Sequence, residues 1–350
     1  MMASRIIRLK KGCDGHCHFR DNEMMQAVAH FTAEQFSNAV AMGNTIPPIE
    51  TANQAVAYGQ RIVSALPAGS NFSPVLTIML TRNTTPEIVD EAGKRGVKVL
   101  KLIPKGVSTN SEQGIGLNEL PDFYPVLEAV QKSGMVFSGH WESLLDAKGT
   151  ELPNIARESC AIKFLDKVVK TFPKLKIAVE HASTKNMVDY VRQQSLSVRA
   201  TLTLHHRFLL YYNVCNEDGS VRNPFYYCKP VAKHLEDRIA VYKAMVSGDP
   251  HFYFGSDSAP HLISAKMKIP PAAGIFSAPI AKPALAETFD NNNALNRLDD
   301  FDAGFFYDFY GLDRPAETVD MTRKDWVVPD EYGGVRPFMA GETLHWQIAE

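Results

Sequence analysis

Long apolar runs are missing from this sequence of 350 residues. Its strongest stretches, such as residues 75–80, are strand-sized and fall far short of the ~20 residues needed to cross a bilayer. Surplus charge is missing too: 37 Lys+Arg against 39 Asp+Glu leave a formal charge of −2. Neutralising many phosphates or an anionic membrane surface needs a basic excess, so neither nucleic acid nor membrane is an expected partner. Cysteine is sparse. Cys13, Cys17, Cys160, Cys215 and Cys228 form an odd set without a CxxC pair, which argues against a disulfide framework and for reduced thiols in a cytoplasmic protein. The first twelve residues hold Arg5, Arg8, Lys10 and Lys11 around only Ile6-Ile7, too polar for a secretory signal. Gly 22 and Pro 21 are ordinary, which removes collagen-like and Pro-rich disordered readings. Internal repeats, low-complexity tracts and dividing linkers are absent as well.

What is present is globular composition, 45% apolar and 22% charged, in a chain long enough for two average domains or for one α/β barrel with insertions. Strand-sized runs occur at residues 12–18, 38–43, 74–80, 97–102, 135–140, 176–180, 197–204 and 252–255. Helix signals lie between them: residues 51–66; a Thr85-Pro86 start with a stop at Gly96; residues 117–132 before Gly134; and residues 156–171 before Pro173. Strand and helix in alternation imply a parallel sheet with helical crossovers. Eight strands suggest closure into a TIM (β/α)8 barrel. Residues 104–116 contain Gly106, Gly114, Gly116 and a polar Ser-Thr-Asn-Ser run, reading as a mobile loop over the active face. From about Met321, Trp326, Pro329, Gly333-Gly334, Pro337 and Gly341 suggest irregular structure or short strands packed on the barrel. The expected organisation is one domain over 1–350, with a core of about 12–320 and a C-terminal extension of about 321–350.

Asp14-Gly15-His16-Cys17-His18 ends the first run. Strand alternation puts His16 and His18 on one face, where two imidazoles can grip one ion. Such a pair is common by chance and weak alone. His140 ends the fifth run, His181 follows the sixth and Asp257 follows the eighth; in a parallel barrel all of these fall on the C-terminal face, where active sites are built. Lys101 lies in Val99-Leu100-Lys101-Leu102-Ile103, where its charge costs desolvation unless removed or paired. One reading is a side chain that snorkels to the surface or pairs with a carboxylate. The other is an amine that takes up carbon dioxide, becoming a carbamate able to bridge two cations.

The set Asp14-Gly-His16-x-His18-x-Arg20, Lys101, His140, His181 and Gly255-Ser-Asp257-Ser-Ala-Pro-His261 resembles the amidohydrolase superfamily, and within it the shorter, class II bacterial dihydroorotases. The resemblance runs from about Asp14 to the Pro337-Phe-Met-Ala-Gly-Glu-Thr ending. It implies an amidohydrolase-like barrel with two zinc ions that interconverts N-carbamoyl-L-aspartate and L-dihydroorotate in pyrimidine biosynthesis. His16, His18 and Asp257 would hold the more buried ion, His140 and His181 the more exposed one, and a carboxylated Lys101 would bridge them. Arg20, Asn44 and His261 would bind the substrate's α-carboxylate. Backbone groups at Lys229 and Ala273 would read the ring edge, while Ser108 and Thr109 would close over it. In the implied mechanism a hydroxide between the ions attacks the ring carbonyl, and Asp257 carries its proton to the leaving nitrogen. A homodimer is the family expectation.

Three positions depart from the family pattern: Gly43 stands before Asn44 where proline is usual, Trp141 where glycine is usual, and Ser108 where threonine is common. A hydantoinase-like or allantoinase-like amidase would share the metal site but lack the carboxylate clamp. A catalytically silent scaffold would be expected to have lost ligands. Outside the motifs, His205 and His206 read chiefly as packed or exposed, with one of them lining the pocket as the other reading, and His30, His234, His251 and His345 read as ordinary surface or helix residues. Cys13 and Cys17 read as packed thiols, with Cys17 pointing away from the metal face. Asp14 reads as a carboxylate orienting a histidine, with a strand-end polar group as the other reading, Trp141 as packing, and Asp21 and Glu23 as a solvated turn.

Overall fold

The computed structural model describes residues 6–349. Eight parallel barrel positions are present, and they match the eight runs. They are β2 (Cys13–Cys17), β3 (Asn38–Ala41), β4 (Ser73–Val75) continued by β5 (Thr77–Met79), β6 (Val99–Leu102), β7 (Val136–Gly139), β8 (Lys176–Val179), β9 (Val198–Leu202) and β10 (Phe252–Phe254). The third run is two strands rather than one: β4 pairs with β3 and β5 with β6, so the chain changes neighbours at Leu76. Closure comes just beyond the strands. Cys17 bridges Ser258, His18 N–H donates to Ser258 O (2.9 Å), and Asp257 N–H donates to His16 O (2.8 Å). The seam that closes the ring is therefore built from the main chain of three sequence-predicted ligands, His16, His18 and Asp257, and of their neighbours Cys17 and Ser258.

Inside the barrel, Val40, Val75, Val99, Val136, Ala178 and Tyr253 pack together, with Phe306, Tyr307, Phe309 and Tyr310 completing the cluster. This is a filled interior of the kind barrels require. The outer layer carries the crossovers. Helix α1 (Asn22–Gln35) is followed by α2 (Ala52–Ser64), whose Thr51 and Gln54 form a reciprocal capping box, and by α3 (Pro86–Lys94), capped by Thr85 with proline in its first turn. The segment expected as one helix over 117–132 divides into a 3₁₀ turn, Leu117–Phe123, and α4 (Tyr124–Ser133). Pro121 and Pro125, each lacking an N–H, account for the break. α5 (Arg157–Thr171) and α6 (Lys185–Arg192) follow. No helix among the described residues is long and apolar enough to cross a membrane.

The tail differs from its expected form. β11 is a ten-residue strand, Thr318–Val327, paired antiparallel with β12 (Thr343–Ile348) and with β1 (Ile6–Lys10). Residues 6–10, within a stretch read only as too polar for a signal, thus supply an edge strand. Leu9, Met321, Leu344 and Trp346 bury one face of this sheet in the same core as Ala284, Leu285 and Phe289. All five cysteines are free, with Cys13 and Cys17 fully buried.

Candidate active site

Five of the eight barrel positions deliver polar side chains of this set to one face, at the strand or just beyond it. His16 lies on β2, with His18 just past its end; Lys101 lies on β6; His140 follows β7, Glu180-His181 follow β8, and Asp257 follows β10. His16 Nε2 and His18 Nε2 are 3.2 Å apart, and Asp257 Oδ1 lies 3.4 and 3.3 Å from them. Two imidazole nitrogens and a carboxylate oxygen converging this closely have the donor set and spacing of ligands around one small divalent ion. Burial, above all, pushes the His16, His18 and His181 imidazoles below their ordinary pKa, so all three are neutral and have a lone pair to offer. His140 and His181 stack edge-on with ring centroids 4.6 Å apart, and His181 is 5.0 Å from His16.

Lys101 is 1% exposed, which rules out snorkelling, and its Nζ has no hydrogen-bond partner. Burial lowers its pKa to about 8, against the pull of Glu180 and Asp257. A buried amine this easily neutralised is chemically ready for carbon dioxide, and the orphaned nitrogen fits that modification. Backbone strain is concentrated on the same face: Arg20 (φ 62°), His181 (φ 42°) and Asp257 (φ 44°) occupy the left-handed region that non-glycine residues avoid.

Beside the ligands, Arg20, Asn44, Ser108, Thr109, Lys229 and Ala273 line a small cavity with His18 and Asp257. Arg20 Nη2 lies 2.9 Å from His261 Nε2, and Arg20 Nε donates to Pro260 O (3.0 Å). Asn44 Nδ2 donates to Thr109 O (3.0 Å), while its Oδ1 is buried without a partner. The loop expected to be mobile is docked: Thr109 Oγ1 donates to Ala273 O (3.2 Å) and Asn110 Nδ2 to Asn44 O (3.1 Å). Lys229 Nζ is committed to Asn154 Oδ1 (2.6 Å), away from the ligands.

A dihydroorotase of Teredinibacter turnerae is 38% identical over 349 residues, covering 98% of both chains. The chain belongs to the dihydroorotase family. Its fold superposes on the Campylobacter jejuni dihydroorotase structure with a TM-score of 0.89 at 34% identity, over 100% of this chain and 99% of that one. The Saccharomyces cerevisiae dihydroorotase, solved with 5-fluoroorotic acid, gives 0.89 at 30% identity over 98% of each chain. An L-hydantoinase from Arthrobacter aurescens shares the fold alone, with 15% identity and a TM-score of 0.76 over 97% of this chain and 82% of its own. No family model matches the chain.

Within this dihydroorotase-family barrel, Glu180 escaped the sequence reading, and His205 was read chiefly as packed or exposed. Glu180 accepts from His16 Nδ1–H (2.7 Å), Ser138 Oγ (2.5 Å) and Thr201 Oγ1 (2.8 Å), fixing the tautomer that leaves His16 Nε2 free. Burial would raise its carboxyl, yet Lys101, His16 and these hydrogen bonds hold it down at about 2. Asp14, expected to orient a histidine ring, instead takes the His16 N–H (3.1 Å) together with the Ser256 N–H and hydroxyl, so it braces the closing seam. The reason is reach: as the second residue of β2 it lies below the strand end, where its carboxylate meets backbone and Ser256 rather than an imidazole ring. His205, fully buried, has both ring nitrogens unpartnered and lies 3.9 Å from Asp257 Oδ2. Its position at the end of the seventh run, matching the ligands on other runs, was the available signal.

His205, His206 and Cys228 bring ligand-type atoms within 4.8 Å of one another. His206 is already bonded to Thr203 Oγ1 (2.8 Å) and Pro230 O (2.9 Å), and Cys228 to Pro230 O (3.2 Å), so two of the three are committed to a hydrogen-bonded wall and only His205 has free ring nitrogens. His140 Nε2 meets Glu142 Oε2 at 2.8 Å. Trp141 is packing, 1% exposed and edge-on to Phe137. Gly43 O accepts from Ile49 N–H (2.9 Å), a tether that proline would leave in place. His30, His234, His251 and His345 are half-buried or exposed, as expected, whereas Asp21 does more than sit in a turn, capping α1 and pairing with Arg61 (2.8 Å).

Proposed function

We propose that this chain is a metal-dependent dihydroorotase that interconverts N-carbamoyl-L-aspartate and L-dihydroorotate in pyrimidine biosynthesis. The observation that carries the reading is the meeting of His16, His18 and Asp257 within 3.2–3.4 Å, beside an arginine and an asparagine suited to a carboxylate. His16, His18 and Asp257 would hold one zinc ion and His140 and His181 a second, with Lys101, carboxylated by carbon dioxide, between them. Bound there, the ions supply Lewis acidity and lower the pKa of water toward neutrality.

The chain's own groups do the rest. Arg20 presents a planar fork to the substrate α-carboxylate, with Asn44 and His261 adding donors. Main-chain groups at Lys229 and Ala273 hold the ring edge, and Ser108 and Thr109 close over it. Asp257 takes the proton of the attacking water and returns it to the leaving ring nitrogen. It must start ionised for hydrolysis and protonated for ring closure, so rising pH favours ring opening. The chain then works as one catalytic unit, core about 12–320 with its extension packed on it, and we place it in the cytoplasm as a homodimer. Five free thiols suit that compartment.

The test is ring closure of N-carbamoyl-L-aspartate by the purified protein, with metal content measured in parallel. Turnover with about two ions per chain is the expected result. Two bound ions with no turnover on this substrate but turnover on a hydantoin would replace the proposal with a general cyclic amidase.

A further inference from the structure

Lys266 closes the short helix Ile263–Lys266, five residues beyond His261, and is 4% exposed. Its ammonium donates to three main-chain carbonyls, those of Tyr227 (2.9 Å), Ala272 (2.9 Å) and Gly274 (2.6 Å). Three N–H donors meet three acceptors, so its hydrogen-bonding capacity is filled, and none of these bonds goes to a carboxylate. A buried cation without a bonded counter-charge is expensive, and what answers that cost here is the pairing of three main-chain carbonyls that an apolar side chain would leave without this donor. Its burial is reflected in a pKa lowered to about 8.

The position of the three carbonyls indicates what the cation contributes. Ala272 and Gly274 flank Ala273. Tyr227 lies two residues before Lys229, and its carbonyl also takes the Gly274 N–H (2.9 Å). One ammonium thus ties together the two segments that supply the main-chain wall of the cavity. Between the two carbonyls bound to Lys266, the Ala273 carbonyl serves other partners, Thr109 Oγ1 at 3.2 Å and His261 Nε2 at 3.0 Å. The turn at Gly274 admits no side chain, because a Cβ there would sit 2.5 Å from Ala259 O at φ +152°.

We propose that Lys266 is a positioning residue for substrate binding: by holding the peptides on both sides of Ala273, it aims the Ala273 carbonyl at the cavity as the shared anchor of His261 and the Thr109 loop. The substrate part of this inference rests on the proposed dihydroorotase activity; the loop part does not.

The experiment uses full-length, metal-loaded protein carrying Lys266→Met, with Lys266→Arg alongside. Arginine keeps the charge, but its planar fork cannot serve three converging carbonyls. The expected result is a KM for N-carbamoyl-L-aspartate raised at least tenfold in Lys266→Met and at least fivefold in Lys266→Arg, with kcat within threefold and metal content unchanged. Thr109→Val should raise KM in the wild type and add little in the Lys266→Met background, since both act through one carbonyl. Amide hydrogen exchange supplies a readout free of turnover: residues 104–116 should exchange at least tenfold faster in either soluble variant, with β11 and β12 unchanged. Wild-type KM, full additivity with Thr109→Val, or an unchanged loop exchange rate would each overturn the proposal. An inactive wild type would sink the dihydroorotase reading, and the exchange result would still decide the role of Lys266.

Discussion

At the strand ends, His16, Lys101, Glu180 and His181 are at most 2% exposed, whereas in the sheet β1–β11–β12 the Arg8–Asp320 pair has side chains 70% and 35% exposed. The strand-end groups sit where a charge is costly unless something answers it, and Lys101 Nζ, His181 Nδ1 and both His205 nitrogens have no hydrogen-bond partner. The sheet carries its charges in water, where they matter little, and gains stability from Leu344, Met321 and Trp346 packed inward. One region gives up stability to hold reactive groups apart from solvent. The other supplies stability without taking part in chemistry.

Substitutions can break or sharpen that contrast. Asp257→Asn should remove the proton carrier with its shape intact and lower turnover by about 10³-fold, within the range for general acid–base groups. Turnover above a tenth of wild type in metal-loaded protein would take the proton role from Asp257. If the proposed two-ion centre forms, Lys101→Ala should lose it, dropping metal content and lowering activity at least 100-fold, with short carboxylic acids restoring part of both. Two fully occupied ions in that variant without added acid would rule out the carbamate. In the sheet the largest effect should be on stability alone. Trp346→Ala removes a side chain 1% exposed, whose Nε1–H donates to Asp290 (3.3 Å), and should cost roughly 3–5 kcal/mol in denaturant unfolding. Its kcat/KM should stay within twofold; a larger loss would mean that the sheet supports the site.

The smallest effect belongs to Asp320→Asn. The Arg8 hydrogen bond, then its charge, lowers the Asp320 carboxyl below its ordinary value. The bond therefore contributes above about pH 4 and is lost as pH falls through the depressed pKa. Thermal scans at pH 7 should show a shift of less than about 2 °C, absent near pH 2. A shift of more than about 5 °C would show that exposed charge does hold the sheet.

Much of the barrel was legible because its signals are local. Runs of β-branched residues, Thr51 and Thr85 as caps, and Gly134 in a left-handed cap act within a few residues. The loop's docking was not legible, since Gly106, Gly114 and the polar run around them indicate freedom, while Thr109 finds its acceptor 164 residues away. The strand β1 was hidden for the same reason: Ile7 and Leu9 between basic residues become a strand edge only when Asp320 and its neighbours arrive, 312 residues later.

By itself the sequence determined the eight-strand rhythm and the family, and singled out residues of metal-ligand type, because periodicity and motif spacing are properties of neighbouring residues. Only the tertiary structure decided that Glu180 rather than Asp14 orients the His16 ring, that His205 faces Asp257 without a partner, and that Lys266 gathers three carbonyls beneath the cavity wall. Each depends on atoms brought within a few ångströms by closure of the sheet and the folding of loops over it. No local pattern encodes which of several nearby carboxylates or carbonyls a closed barrel will place in reach.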